Sequence, residues 1–425
     1  MIQTLKYKTV FVAALVAAAA TLFSCTQDET VQERSQQPIG FNVVVDNSKN
    51  TRSVSTITTA DLTKFDVWAY KADREDANPV MGVSSAVGYQ ISKSSTIGVV
   101  DSIQELNHGV WGYSNKYQIT LWPNDGTQQL AFYAVAPTTV YNTVPNLTLD
   151  ITKNNHAFTY TASDTHSDQR DIIIAGKTVK LTDINHLGPQ KPEWPEYTDW
   201  MTVALTFNHA LSQIKFDAKL KSNYPDFKVI IHSITLCNVY RSGTCTIGST
   251  DGSASWANYT EKERDAYTVV TGETGTGITL YSSDGVDGAA TTVVPLSNGT
   301  TETNSDNLML IPQQITAWDP ASGLAPDDEA QTGAYLKIKC EITQNDYNLL
   351  GTNEEYVYVP FAGTQTDALS NVADWDGWWL PGKTYTYHLE FGLGYDSAGQ
   401  SYGSEIKFNV SVGTDWTGGS VIPLL

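Results

Sequence analysis

The groups able to attack, ligate or carry a proton in this chain are four cysteines, seven histidines and 46 acidic residues, against 26 lysines and arginines. Their spacing forms no recognisable centre. No His-Glu-x-x-His run sets two imidazoles on one helix face, and no Cys-x-x-Cys pair offers two thiolates to zinc. Gly275-Thr276-Gly277 opens like a dinucleotide loop, but position 280 is Leu and the surroundings are turn-rich. The histidines are scattered, so each is expected to serve a strand or a loop. Asp327-Asp328-Glu329 reads as a solvated acidic loop. Neither a metal nor a cofactor is expected, and the chain does not read as an enzyme. Two carboxylates brought together only by folding would leave no local spacing, which keeps a polysaccharide-cleaving enzyme as a third reading.

Two places carry more. Lys6 and Lys8 precede an uncharged run of 15 residues, 9–23, which ends in Leu22-Phe23-Ser24-Cys25. As a helix that run rises roughly 22 Å, short of the ~30 Å hydrocarbon core of a bilayer. It is therefore a signal peptide over 1–24, with Cys25 placed as the lipidated residue of a lipobox. Phe23 departs from the usual small or branched residue there. The second place is Trp375-Asp376-Gly377-Trp378-Trp379. Exposed indoles stack on sugar faces, whereas buried ones cap a core or fill a seam. Trp375, Trp378 and Trp379 are thus candidates for glycan stacking, with core packing as the competing role.

The elements that must position these residues are strands. Hydrophobic residues make up 41% of the chain and charged residues only 17%. A formal net charge of −20 excludes a phosphate-binding surface, and with it nucleic acid. Met201, Val203, Leu205 and Phe207 alternate with polar or small residues, as do Ile214, Phe216, Ala218 and Leu220. Leu336, Ile338, Cys340 and Ile342 repeat the period, then Tyr385, Tyr387, Leu389 and Phe391, then Ile406, Phe408, Val410 and Val412. Period-two alternation means one face buried and one wet. The fold class is all-β with minor helix. Thr260-Glu261-Lys262-Glu263 has the form of a capping box and predicts a short helix towards Tyr267. Pro189, Pro192 and Pro195 mark a connector, which puts a domain boundary near 196. Segments 271–307 and 319–334 read as exposed loops. Cys237 and Cys245 flank Tyr240-Arg241-Ser242-Gly243, where a hairpin would set them opposite each other; reduced, half-buried thiols are expected. No repeat of fixed period is visible.

Taken in order, several segments resemble the fimbrillin family of the Bacteroidetes, the subunits of type V pili. Behind the lipobox, Asp28 and Glu29 resemble a surface-export signal. Ile39-Gly40-Phe41 and Thr51-Arg52 resemble the family's first strand and protease site. Phe65-Asp66-Val67-Trp68-Ala69-Tyr70, Trp122-Pro123 and Phe132-Tyr133-Ala134-Val135-Ala136-Pro137 are similar to its next core segments. Asp171-Ile172-Ile173-Ile174-Ala175, Leu205-Thr206-Phe207-Asn208-His209-Ala210-Leu211-Ser212-Gln213-Ile214 and Pro381-Gly382-Lys383-Thr384-Tyr385 follow, with His209 as a structural residue.

The resemblance implies two transthyretin-like antiparallel β-sandwich domains, 53–195 and 196–425, behind a lipidated propeptide and first strand over 25–52. It implies an outer-membrane lipoprotein precursor that becomes a fimbrium at the cell surface. A trypsin-like, Arg-specific protease would cut between Arg52 and Ser53, removing the first strand. The C-terminal strand of a neighbouring pilin subunit, within 405–425 and anchored by Ile406, Phe408, Val410 and Val412, would then fill the groove. The alternative, a strand that completes its own domain, stays open. The rival function is a surface glycan-binding lipoprotein using the tryptophans.

Overall fold

The computed structural model describes residues 38–46, 57, 59–73, 78–93, 111–123, 127–137, 144–164, 168–183, 201–220, 227–263, 267–270, 278–281, 294–295, 308–350, 356–361, 377–391 and 407–413. The first half supplies β1 (Ile39–Val45), β2 (Lys64–Lys71), β3 (Tyr89–Lys93), β4 (Trp111–Tyr113), β5 (Gln129–Ala136), β6 (Leu147–Ile151), β7 (His156–Thr161), β8 (Ile173–Lys180) and β9 (Met201–His209). The second half begins with β10 (Ser212–Leu220), β11 (Phe227–Cys237), β12 (Val239–Ile247), β13 (Ala254–Glu263), β14 (Tyr267–Val270), β15 (Ile278–Tyr281) and β16 (Val294–Pro295). It ends with β17 (Leu308–Leu310), β18 (Tyr335–Gln344), β19 (Tyr347–Leu350), β20 (Tyr356–Pro360), β21 (Thr384–Phe391) and β22 (Lys407–Gly413). The chain is all-β. Among the described residues the helical turns are short 3-10 turns, at Lys116–Gln118, Leu181–Asp183 and Pro320–Ser322.

Seven strands close a barrel in the order β1-β4-β3-β2-β5-β8-β9. Its interior is aromatic: Phe41 meets Phe65 edge-on at 5.8 Å and Phe132 at 6.2 Å, and Phe65 meets Phe207 at 5.2 Å. The second half forms two sheets, β16-β10-β21-β22 with β17, and β14-β11-β18-β19 with β15 and β20. Their facing side chains, among them Phe216, Tyr387, Ile234 and Ile338, belong to one large core. Most pairings are antiparallel. The exceptions are β1 with β9 and β10 with β21, strands far apart in sequence that need no tight turn between them.

Strand β2 shows how the two cores are joined. Phe65, Val67 and Ala69 face the barrel interior, while Trp68 and Tyr70 belong to the larger core outside it. Strands buried on both faces read as continuous apolar runs, which is why 65–70 and 130–136 lack clean alternation.

Three expectations are corrected. Thr260-Glu261-Lys262-Glu263 is strand, not helix: it ends β13, with Thr260 opposite Ser242 and Lys262 opposite Tyr240. A capping box is a local signal worth about a kcal/mol, and a full ladder with β12 outweighs it. The loop 271–307 contains two pairing segments, β15 on β11 and β16 on β10. The hairpin that would oppose Cys237 to Cys245 is absent, because β11 pairs with β14, β15 and β18 while β12 pairs with β13 and β7. Asn238, at φ 58°, turns the chain from one sheet to the other. One sheet, β13-β12-β7-β6, draws strands from both sides of residue 196.

Cys237, Cys245 and Cys340 are free and fully buried rather than half-buried. Burial pushes the Cys340 thiol up to about 12 and raises that of Cys245 too. Thiolate is the reactive form, so these groups should be inert. Ellman's reagent should leave all three untouched in the native protein and titrate them after unfolding in guanidinium. Reaction of any of them at the rate of a free thiol without unfolding would contradict this packing.

Candidate functional site

Strand β1 occupies the barrel's closing position, between β4 and β9. It runs parallel to β9 from Ile39 opposite Met201 to Val45 opposite Phe207, and touches β4 through Phe41 opposite Trp111. Its inward row is nearly sealed: Ile39 is 0% exposed, Phe41 1%, Val43 5% and Val45 2%, whereas Val44 on the outer row is 51% exposed. From Phe41 onward that is the alternation of a strand with one dry face, while Gly40 on the outer row is also buried.

Both ends of β1 are clasped. At the start, Ile39 N donates to Thr120 O at 2.9 Å and Tyr113 Oη donates to Ile39 O at 3.1 Å. At the end, Val45 N donates to Thr59 Oγ1 at 3.0 Å and Asp46 N to Phe207 O at 2.8 Å. The chain returns to the barrel at Ile57, whose N–H donates to Asp171 Oδ2 at 2.8 Å. The same carboxylate oxygen lies 2.9 Å from Nδ1 of His209, and both side chains are buried. His209 therefore fastens β9 to the residues just before β8, and the same carboxylate holds Ile57. Arg52 and Ser53 fall between these two anchored points but outside the described residues, as does Cys25.

Strand β22 lies at the edge of its sheet, antiparallel to β21, with Phe408 opposite Leu389, Val410 opposite Tyr387 and Val412 opposite Tyr385. Here the C-terminal strand extends its own domain's sheet. Ile406 lies outside the described residues.

One signal in the sequence escaped the search for repeats. Residues 39–45 read Ile-Gly-Phe-Asn-Val-Val-Val and residues 406–412 read Ile-Lys-Phe-Asn-Val-Ser-Val. Positions one, three, five and seven, the inward row of β1, are the same in both, and Asn42 matches Asn409. The two differences, Gly40 against Lys407 and Val44 against Ser411, fall on the outer row. A single copy 367 positions further on has no period to detect, but comparing the two terminal strands finds it.

The tryptophans separate. Trp379 is 0% exposed, donates from Nε1 to Tyr387 Oη at 2.9 Å and meets Phe361 edge-on at 6.0 Å. It is core and is not available to a sugar. Trp378 is half-buried and lines a cleft beside β12 and β13. Adjacent residues in extended chain point to opposite sides, so one of the pair had to turn inward. Trp375 lies outside the described residues. In the acidic loop, Asp327 accepts from Tyr335 Oη at 3.0 Å and Tyr358 Oη at 2.9 Å, and Asp328 Oδ1 caps Ala330 N.

A Gly-x-Ser-x-Gly pattern at Gly399-Gln400-Ser401-Tyr402-Gly403 was also missed. It joins strand β21 to strand β22, whereas a nucleophile elbow needs a strand followed by a helix. The residues themselves lie outside the described ones.

A β-rich protein whose barrel is closed by a strand with a sealed inner face is the class this architecture defines. The model of the fimbrillin-like family matches residues 51–416, and the chain belongs to that family. No curated protein matches it. Among solved structures it is similar to a fimbrial protein from Bacteroides vulgatus ATCC 8482, at 16% identity over 90% of this chain and 100% of that one, with a TM-score of 0.48. It is also similar to a fimbrilin from Porphyromonas gingivalis W83, at 11% identity over 89% and 96%, TM-score 0.40. A fimbrial assembly protein from Parabacteroides distasonis ATCC 8503 matches at 11% identity over 89% and 96%, TM-score 0.36. The family makes this chain a structural subunit of cell-surface fimbriae that assembles with other pilin subunits.

Trp379→Ala should lower stability by roughly 3–5 kcal/mol, through a cavity and the loss of the hydrogen bond to the Tyr387 hydroxyl. Trp379→Phe should cost about 1 kcal/mol, the weight of the lost hydrogen bond. Denaturant melts of the two variants check the order.

Proposed function

We propose that this chain polymerises by protease-triggered strand exchange. Lipid on Cys25 holds the precursor to the outer membrane, and a trypsin-like protease cuts after Arg52. Strand β1 then leaves, and the C-terminal strand of a neighbouring subunit takes its place. The observation that carries this reading is the identity of the two inward rows, Ile39, Phe41, Val43, Val45 and Ile406, Phe408, Val410, Val412. Side chains of the same shape in the same order suit the same pockets, and the register follows: Ile406 where Ile39 sits, Val412 where Val45 sits. Each buried anchor contributes roughly 1.5–3 kcal/mol, which together outweigh the ordering entropy of one short strand. Of the two changes, Ser411 takes the place of exposed Val44 and suits water, whereas Lys407 takes the place of Gly40, which is buried.

The link supports the same reading. The 47–56 segment joins β1 to the rest of the molecule, and Asp171 grips the chain at Ile57 beyond it. A cut at Arg52 frees the strand and leaves the barrel's own start in place.

N-terminal sequencing of polymer should read from Ser53, and Arg52→Ala should leave uncut, monomeric precursor. Polymer that starts at Cys25 would refute the processing step. In that precursor, Cys25→Ala should abolish labelling by a fatty-acid probe, and persistent label would refute the anchor.

Deleting 405–425 should leave a folded monomer that no longer forms ladders, since among the described residues β22 pairs with β21 at the end of its sheet. Phe408→Asp should do the same with the chain length kept. Ladders that persist in both variants would reject this strand as the donor, and global unfolding on deletion would make it part of its own core.

A further inference from the structure

We propose that the cleft between the β12–β13 pair and the 313–316 segment binds a carboxylated pyranose, such as a hexuronic acid at the end of a glycan. The cleft encloses about 300 Å³ and is lined by Tyr240, Tyr259, Lys262, Gln314, Thr316 and Trp378. That volume is at the small end of ligand sites, the size for one or two sugar rings.

One wall is made by β12 and β13. The rings of Tyr240 and Tyr259 stack at 5.4 Å between centroids and 29° between planes. The Lys262 ammonium sits 5.3 Å from the Tyr240 centroid, over its face. One of its three N–H donors goes to Thr332 O at 2.6 Å. The segment that carries Thr332 is held in turn by Asn238, whose Nδ2 donates to Gly333 O at 3.0 Å.

The other wall is tied to the first. Gln313, buried at the base, accepts from Tyr240 N and donates to Tyr240 O, both at 2.8 Å. Gln313 O accepts from Trp379 N at 2.9 Å, and Ile315 N donates to Gly377 O at 2.8 Å. These bonds pin Trp378 alongside Gln314, with which it forms a β-bridge. The cleft is thus preformed, and little ordering is left for a ligand to drive.

Its chemistry is mixed in a way that suits a sugar acid. Trp378 and the stacked Tyr240–Tyr259 pair bring aromatic surface to the cleft for the C–H side of a ring, and Gln314 and Thr316 bring polar groups for its hydroxyls. Lys262 offers a charge. In a chain of net charge −20, a lysine set among aromatic rings selects an anion against the general field. Desolvation lowers the pKa of Lys262, and an arriving carboxylate would push it back up.

The cleft involves neither β1 nor β22, so its test is independent of the assembly proposal. Calorimetry of the full chain with methyl β-glucuronide and methyl β-glucoside decides it. The glucuronide should bind roughly tenfold more tightly, the weight of a charge-assisted hydrogen bond. Lys262→Met should erase that preference, while Trp378→Ala should weaken both sugars. No heat from either sugar, equal binding of the two, or a preference that survives Lys262→Met would each overturn the proposal.

Discussion

Everything in the first half of the molecule depends on a strand standing between β4 and β9. A barrel has no edges only while every position in its circuit is filled; with one strand missing, two rows of backbone donors and acceptors face water. The aromatic interior makes the demand sharper. Phe41 reaches Phe65, Tyr113 and Phe132 at centroid distances of 5.8, 6.3 and 6.2 Å. Removing β1 removes the hub of that cluster. Yet this strand is the one joined to the rest through a single segment, and its partner β9 follows it by the whole length of the barrel. The position is structurally indispensable and covalently peripheral.

The outer face of β2 is fastened within the first half, where Trp68 Nε1 donates to Ser84 O at 2.7 Å and Tyr70 Oη to Ile151 O of β6 at 2.7 Å. The second half docks beside it. The turn between β12 and β13 docks on β8 and β9: Thr178 Oγ1 donates to Ser249 O at 2.7 Å, and Asn208 Nδ2 to Asp251 O at 3.0 Å. The approach is so close that a Cβ on Gly176 would fall 1.9 Å from Gly248 O. Glycine there is a packing requirement. These contacts keep the gap between β4 and β9 a defined shape rather than a collapsing one, which a returning strand needs.

The alternating strands were legible because one dry face imposes a period of two. Residues 201–207, 214–220 and 336–342 are strands where the pattern places them. The pattern falters where a second constraint enters. In β11 the inward row passes from Phe227, Val229 and Ile231 to Ile234 and Leu236, because the register with β18 shifts between Ile231 and Ser233. Non-local pairing was not legible at all: nothing near Thr159 says that it will lie opposite Thr244. The same blindness turned β13 into a helix, since its capping box is local and its ladder is not. For the candidate site, β1 and the C-terminal strand were both visible as strands, and their kinship was readable residue by residue. The division of the tryptophans was not, because whether Trp378 or Trp379 turns inward depends on Tyr387 and Phe361 across the core.

The proposed exchange also needs a direction, and the topology supplies one. Among the described residues, β22 at home has one neighbour, β21. In the place of β1 the same strand would have β9 along its full length on one side and β4 on the other, with its inward row in a closed interior. A strand that moves from an edge to a closing position gains a second ladder and loses an exposed edge. It gives up its pairing to β21. The shared residues at positions one, three, five and seven mean that the incoming strand would bring the same four side chains to the pockets of the recipient's inward row. While β1 is present, however, the competition is between a tethered strand and an untethered one, and the tether wins by effective concentration. Cutting the tether cancels that advantage. The two sequences are alike enough for the incoming strand to replace the first, and it is the cut, not a difference in fit, that determines when it does so.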